Sequence, residues 1–196
     1  VLRGLGGHIN GIGRRVMPGR KPAYAQAMTD VASYKIACLC ELRDEQGRYL
    51  LLHRAKSPNK GLYSPIGGKL ETALGESPTQ CAQREIFEEA GLTIALDRLH
   101  LAGIISEKGY RSADGAPPTH WLMFWFRVLD PVRTERVEFD EGRLEWIDPD
   151  RLMDLDLPQT DREVIWPTVL GHTGSRCFSL HIDCTVEPMR WALEGA

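Results

Sequence analysis

Three carboxylates, Glu85, Glu88 and Glu89, stand at i, i+3 and i+4. On a helix turning 100° per residue they fall within an arc of about 100°, so one face is a carboxylate cluster. Like charges at that spacing repel one another, whereas a hard divalent cation offsets the repulsion and takes the oxygens as ligands. Three glutamates alone equally fit a solvated acidic face, so their surroundings must decide. Upstream, Gly67-Gly68 permits a close backbone approach of the kind phosphates need, although such a pair is also an ordinary turn.

The elements that position these residues are well punctuated. Ser77 is the expected N-cap, Pro78 occupies the first helical position, and Gln80 completes a capping box. Gly91 supplies the left-handed stop, which predicts a helix over 78–90 with Ala82, Ile86 and Ala90 as its apolar stripe. Strands are expected over 34–42 and 48–54, joined by a hairpin at 43–47, and again over 99–106, 121–129 and 144–147. The stretch 107–120 reads as a long polar loop of the sort that borders ligands. Thr160 with Glu163 predicts a second capped helix, kinked or ended by Pro167. Alternation from Phe178 to Val186 predicts a strand with one buried face. Strands therefore outnumber helices, and the helices lie between them.

The chain has 196 residues, 24 Lys plus Arg against 27 Asp plus Glu, which suits one globular domain with a modest extension. A net charge of -3 without a run of like charges argues against a duplex nucleic-acid surface, while leaving small phosphorylated ligands open. Apolar runs such as Trp121 to Phe126 fall far short of a bilayer span, so no membrane partner is expected. The five cysteines form no CxxC pair and are odd in number, which fits a reducing cytoplasm better than a disulfide framework or zinc knuckle. Residues 1–27, rich in Gly, Arg and Pro and lacking an apolar signal core, read as a flexible leader before a domain over 28–196. Oligomeric state, monomer or homodimer, is not fixed by the sequence.

Gly67-Gly68-Lys69, Gly75-Glu76 and Arg84-Glu85-Ile86-Phe87-Glu88-Glu89-Ala90-Gly91-Leu92 together resemble the Nudix box. From Glu76 onward every fixed position of that pattern is present. Seven residues instead of five separate Gly68 from Glu76, an insertion near Thr72-Ala73-Leu74 that changes the loop before the helix. The resemblance implies an α+β fold, an α/β/α sandwich with a mixed β-sheet, and a Mg²⁺-dependent hydrolase of phosphoanhydrides, with Mn²⁺ as a substitute. It assigns Glu85, Glu88, Glu89 and the Gly68 carbonyl as metal ligands, with Glu76 and Arg84 as the supporting ion pair. The substrate would be a small-molecule nucleotide.

Beyond the box, residues 63–69 and the run Val137 to Glu141 are similar to MutT-like nucleoside triphosphatases. On that comparison Glu138 is the candidate general base, and Gln159 or Asp161 would read a purine edge. Arg54, Tyr63, Gly67, Gly68 and Lys69 complete the expected substrate contacts. Ser64 stands where that subgroup has Asn, and its Asp pair is not reproduced, which weighs against oxidised-guanine specificity. The resulting expectation is release of NMP and pyrophosphate from a purine nucleoside triphosphate, modified or not. The alternatives are a hydrolase of dinucleoside polyphosphates, for which Tyr110 is the marker, or of ADP-ribose and NDP-sugars. The proline expected of the ADP-ribose type would fall at Glu107 or Lys108 and is absent. A non-catalytic nucleotide sensor is the alternative of another class. Trp121, Trp125 and Phe126 are read as base-stacking candidates or as core.

Overall fold

The computed structural model describes residues 34–112, 115 and 117–195. The expected leader over 1–27, and the first residues of the expected domain, lie outside the described residues. Among the described residues, nine strands and two α-helices run in the order β1 (Tyr34–Glu41), β2 (Tyr49–Arg54), β3 (Tyr63–Pro65), α1 (Pro78–Ala90), β4 (Leu99–Tyr110), β5 (Thr119–Val128), β6 (Glu138–Phe139), β7 (Gly142–Ile147), α2 (Trp166–Gly171), β8 (Phe178–Asp183) and β9 (Arg190–Gly195).

The strands form a five-stranded sheet, β1-β5-β4-β8-β9, and a four-stranded sheet, β3-β2-β7-β6. The first is mixed: β1 runs parallel to β5 and β4 parallel to β8, while β4 to β5 and β8 to β9 are antiparallel. The segment after β3 ties the two sheets together through bridges from Ile66 to Cys40 and from Lys69 to Ala37.

Alternation along each central strand sends side chains into two separate cores. Cys38 and Cys40 of β1, Leu50 and Leu52 of β2, and Phe126 of β5 bury against Cys81, Ala82, Ile86 and Ala90 of α1. Ala37, Tyr49, Leu51 and Trp125 point the opposite way, onto Trp166 and Val169 of α2. Sheets covered on both faces need apolar residues at successive positions, which explains the unbroken Tyr49-Leu50-Leu51-Leu52 run. The result is the α+β sandwich that the sequence led us to expect.

Helix α1 keeps the expected boundaries because its caps are all made. The Ser77 hydroxyl accepts from the Gln80 N–H at 3.3 Å, the Gln80 side chain accepts from the Ser77 N–H at 3.0 Å, and Gly91 ends the helix at φ 70°. The two-residue insertion is absorbed as a single 3₁₀ turn over Thr72–Leu74, so the helix start is undisturbed.

Other expectations need correction. The polar loop over 107–120 is shorter, because β4 and β5 continue and pair Glu107 with Trp121 and Tyr110 with Thr119. Its polar residues lie on a strand that faces a cavity, which is why they read as loop. The Thr160 to Glu163 capping box is not made. Glu163 accepts from Gln159 at 3.0 Å instead, and a π-helical turn over Asp161–Ile165 leads into α2, with Pro167 in its first turn. The alternating run from Phe178 stays in strand only to Asp183, and β9 pairs back on it.

Candidate active site

The Gly67-Gly68 loop crosses the carboxylate face of α1 at very close range. A Cβ on Gly67, whose φ is 149°, would lie 2.1 Å from the Cys38 carbonyl oxygen. A Cβ on Gly68 would lie 2.3 Å from Glu85 Oε1. Only glycine lets this backbone run between β1 and the helix carboxylates.

Arg84 fastens the loop to the helix. Its Nε and Nη2 donate to the two Glu76 oxygens at 2.8 and 3.0 Å, its Nη2 also donates to the Lys69 carbonyl at 3.0 Å, and its Nη1 reaches Glu85 at 2.7 Å and Glu88 at 3.1 Å. The Arg84 hydrogen bonds hold the Glu76 carboxyl below the usual range.

Glu89 is buried at 3% exposure, and its Oε2 accepts from the Gly67 N–H at 3.1 Å. Burial pushes its carboxyl up to about 8, and the charges of Glu85 and Glu141 push the same way. Burial also raises Glu85, with Glu88 and Glu141 adding to the rise. Glu88 is exposed. Among the described residues no three His, Cys, Asp or Glu side chains already converge as a metal site. The reason is visible: Glu85 and Glu88 turn to Arg84, and Glu89 turns to the Gly67 N–H. The donor set nevertheless fits a hard cation, because Glu85 crowds against the Gly68 backbone, the buried Glu89 has a backbone N–H and no ion-pair partner, and one Arg84 serves the remaining carboxylates of the face. The Gly68 carbonyl accepts from the Cys38 N–H at 2.8 Å and, weakly, from the Cys81 thiol at 3.7 Å, a bond that a cation would displace.

A cavity of about 640 Å³ opens beside this cluster, large enough for a nucleotide. Its wall includes Gly67, Gly68, Lys69, Glu85, Arg54 and Glu141, together with Ser64, Glu107, Tyr110, Thr160, Asp161 and Trp121. Arg54 donates to the Pro58 carbonyl at 2.8 Å and stands 3.9 Å from Glu141. The Lys35 ammonium lies 5.4 Å from the Trp121 ring centre.

Several expected residues are placed elsewhere. Glu138 is exposed in β6, opposite Arg143, and does not line the cavity, whereas Glu141 in the next turn does. Tyr63 stacks on His53 at 4.6 Å and donates to Glu145, facing away from the cavity. Gln159 borders a neighbouring, smaller cavity. Tyr110 does reach the main cavity, where its hydroxyl donates to Asn59 at 2.9 Å. Trp125 and Phe126 are core, while Trp121 lines the cavity wall. Sequence reasoning missed Lys35, Glu107 and Glu141 as cavity residues. Glu141 had a signal, since it shares its acidic run with Glu138, but choosing between them needs the β6 to β7 turn.

A model of the NUDIX domain matches residues 33–166, and the chain belongs to that family. An oxidized purine nucleoside triphosphate hydrolase of Danio rerio is 33% identical over 108 residues, covering 55% of this chain and 63% of the relative, so the match spans less than two thirds of that protein. An uncharacterized Nudix hydrolase of Bacillus subtilis (strain 168) is 30% identical over 128 residues, covering 64% of this chain and 73% of the relative. Among solved structures, a MutT protein from Bacillus halodurans superposes with a TM-score of 0.63 at 25% identity, covering 82% of this chain and 97% of the other. Nudix hydrolases as a class use a divalent metal. Among the described residues no helix is long and apolar enough to cross a membrane.

Proposed function

We propose that this protein is a Mg²⁺-dependent hydrolase that cleaves a nucleoside triphosphate to NMP and pyrophosphate. The observation that carries the reading is the crowding of Glu85, Glu89 and Glu141 against the Gly67-Gly68 backbone at one end of a nucleotide-sized cavity. Glu85, Glu88, Glu89 and the Gly68 carbonyl would hold the metal, which neutralises charge on the phosphates and favours water as a nucleophile. Mn²⁺ would substitute. Gly67 and Gly68 bring the loop backbone against the helix carboxylates, and Lys69 and Arg54 supply positive charge at the cavity wall.

Hydrolysis requires a water to attack phosphorus, lose a proton and expel pyrophosphate. Glu141 lines the cavity at the metal end, so it is better placed than Glu138 to take that proton. The similarity to an oxidized purine nucleoside triphosphate hydrolase supports a purine substrate. Trp121 offers a flat apolar surface for the base, and Asp161 a polar group for its edge.

Glu89→Gln should lower kcat by at least about a hundredfold with a native circular dichroism spectrum, because it removes a charge that balances the cation. Unchanged Mg²⁺-dependent turnover would contradict the assignment. Glu141→Gln should lower kcat while Glu138→Gln leaves it near wild type, and the reverse order would return the base to Glu138.

A further inference from the structure

The cavity wall also holds buried polar atoms that make no hydrogen bond. Glu107 is 3% exposed, and its Oε1 has no hydrogen-bond partner. Thr160 is equally buried and its hydroxyl is also unpartnered, as is that of Ser64. All three residues line the cavity, together with Asp161. A buried carboxylate without a partner costs stability, so a fold that keeps one at a cavity wall keeps it for a ligand. The position is also unfavourable for packing, because its neighbours on β4, Ile105 and Ala102, are fully buried and apolar.

Building on the hydrolase reading, we infer that Glu107 determines base specificity by accepting a hydrogen bond from the ring N–H of a 6-oxopurine. Glu107 Oε1 needs a donor, and a lactam N–H, more acidic than an exocyclic amine, is the stronger one for a carboxylate. The carbonyl beside that N–H needs a donor in turn. Thr160 supplies a hydroxyl that lies beside both carboxyls, and Asp161 supplies a second candidate, because burial and the charge of Glu107 raise its carboxyl and favour the protonated form. Burial raises Glu107 as well, so the pair holds one proton more readily than none. One acceptor beside one donor is the complement of a lactam edge. Trp121, which pairs with Glu107 across β4 and β5, places a ring beside that edge for stacking.

The test compares GTP, N1-methyl-GTP and ATP by calorimetry on the full chain with Mg²⁺, using wild type, Glu107→Gln and Glu107→Leu. Wild type should bind GTP at least about tenfold more tightly than either of the other two, since each lacks the ring N–H. Glu107→Leu should bind all three alike and melt at a higher temperature than wild type, because an unpaired buried carboxyl has gone. Glu107→Gln keeps an acceptor oxygen and should retain part of the preference. Wild type that binds the three alike, prefers ATP, or binds none of them overturns the assignment, as does a preference that survives in Glu107→Leu. The wild-type comparison stands by itself if the leucine variant does not fold. Turnover is scored separately: GTP bound with the expected preference but never hydrolysed counts against the hydrolase reading and leaves Glu107 in place.

Discussion

Arg84 is the residue on which the site turns, since one guanidinium joins Glu76 at the end of the loop, the Lys69 carbonyl in its middle, and Glu85 and Glu88 on the helix. Its bond lowers the Glu76 carboxyl, and the sign of the stability effect follows. A carboxyl depressed on folding stabilises the protein above its ordinary range and loses that contribution as pH falls through the folded value. Glu76→Gln should therefore cost about 1 to 2 kcal/mol at pH 7, and the difference from wild type should begin to shrink as pH falls below the ordinary carboxyl value of 4.5 and go on shrinking through the lower folded value. Urea unfolding at a series of pH values checks this, and a pH-independent difference would mean that Glu76 acts through packing. Glu89 is the opposite case: its carboxyl is raised by burial, so at neutral pH a cation must displace a proton to bind there.

At the scale of elements, α1 was legible in full because its signals are local. Ser77, Pro78, Gln80 and Gly91 each act within one turn, and the glutamates follow at helical spacing. Ser77→Ala should cost about 1 kcal/mol and leave KM unchanged, since the cap lies away from the cavity. Chemical denaturation with parallel kinetics reads both, and a large change in KM would mean that the cap also sets the loop. Asp161 and Tyr110 were legible as cavity residues, but Glu107 was not, because a strand facing a cavity carries polar side chains where a core strand carries apolar ones. Glu107 and Tyr110 thus read as loop, although both lie in β4. Thr160 to Glu163 shows the converse, a local capping pattern overruled when Gln159 takes Glu163 and the chain enters a π turn. Glu138 and Glu141 stand three residues apart in sequence, and only the tight turn between β6 and β7 separates them in role.

At the scale of the whole molecule, two sheets share one division of labour. Their alternating side chains fill one core under α1 and another under α2, and the cavity lies between the loop held by α1 and the turn leading into α2. Packing both cores therefore fixes the cavity walls that adjoin them. Glu41 reinforces that frame from the buried side of β1, accepting from Trp125 Nε1 at 3.2 Å and Arg127 Nε at 3.0 Å on the neighbouring β5. On the proposed function, this frame positions a nucleoside triphosphate for cleavage between its α and β phosphates. The most direct measurement is product analysis after incubation of purine nucleoside triphosphates with the protein and Mg²⁺, separating pyrophosphate from orthophosphate. NMP and pyrophosphate in equal amounts, formed only with the divalent cation present, are the predicted result. Orthophosphate with NDP, or intact triphosphate after prolonged incubation, would contradict the account.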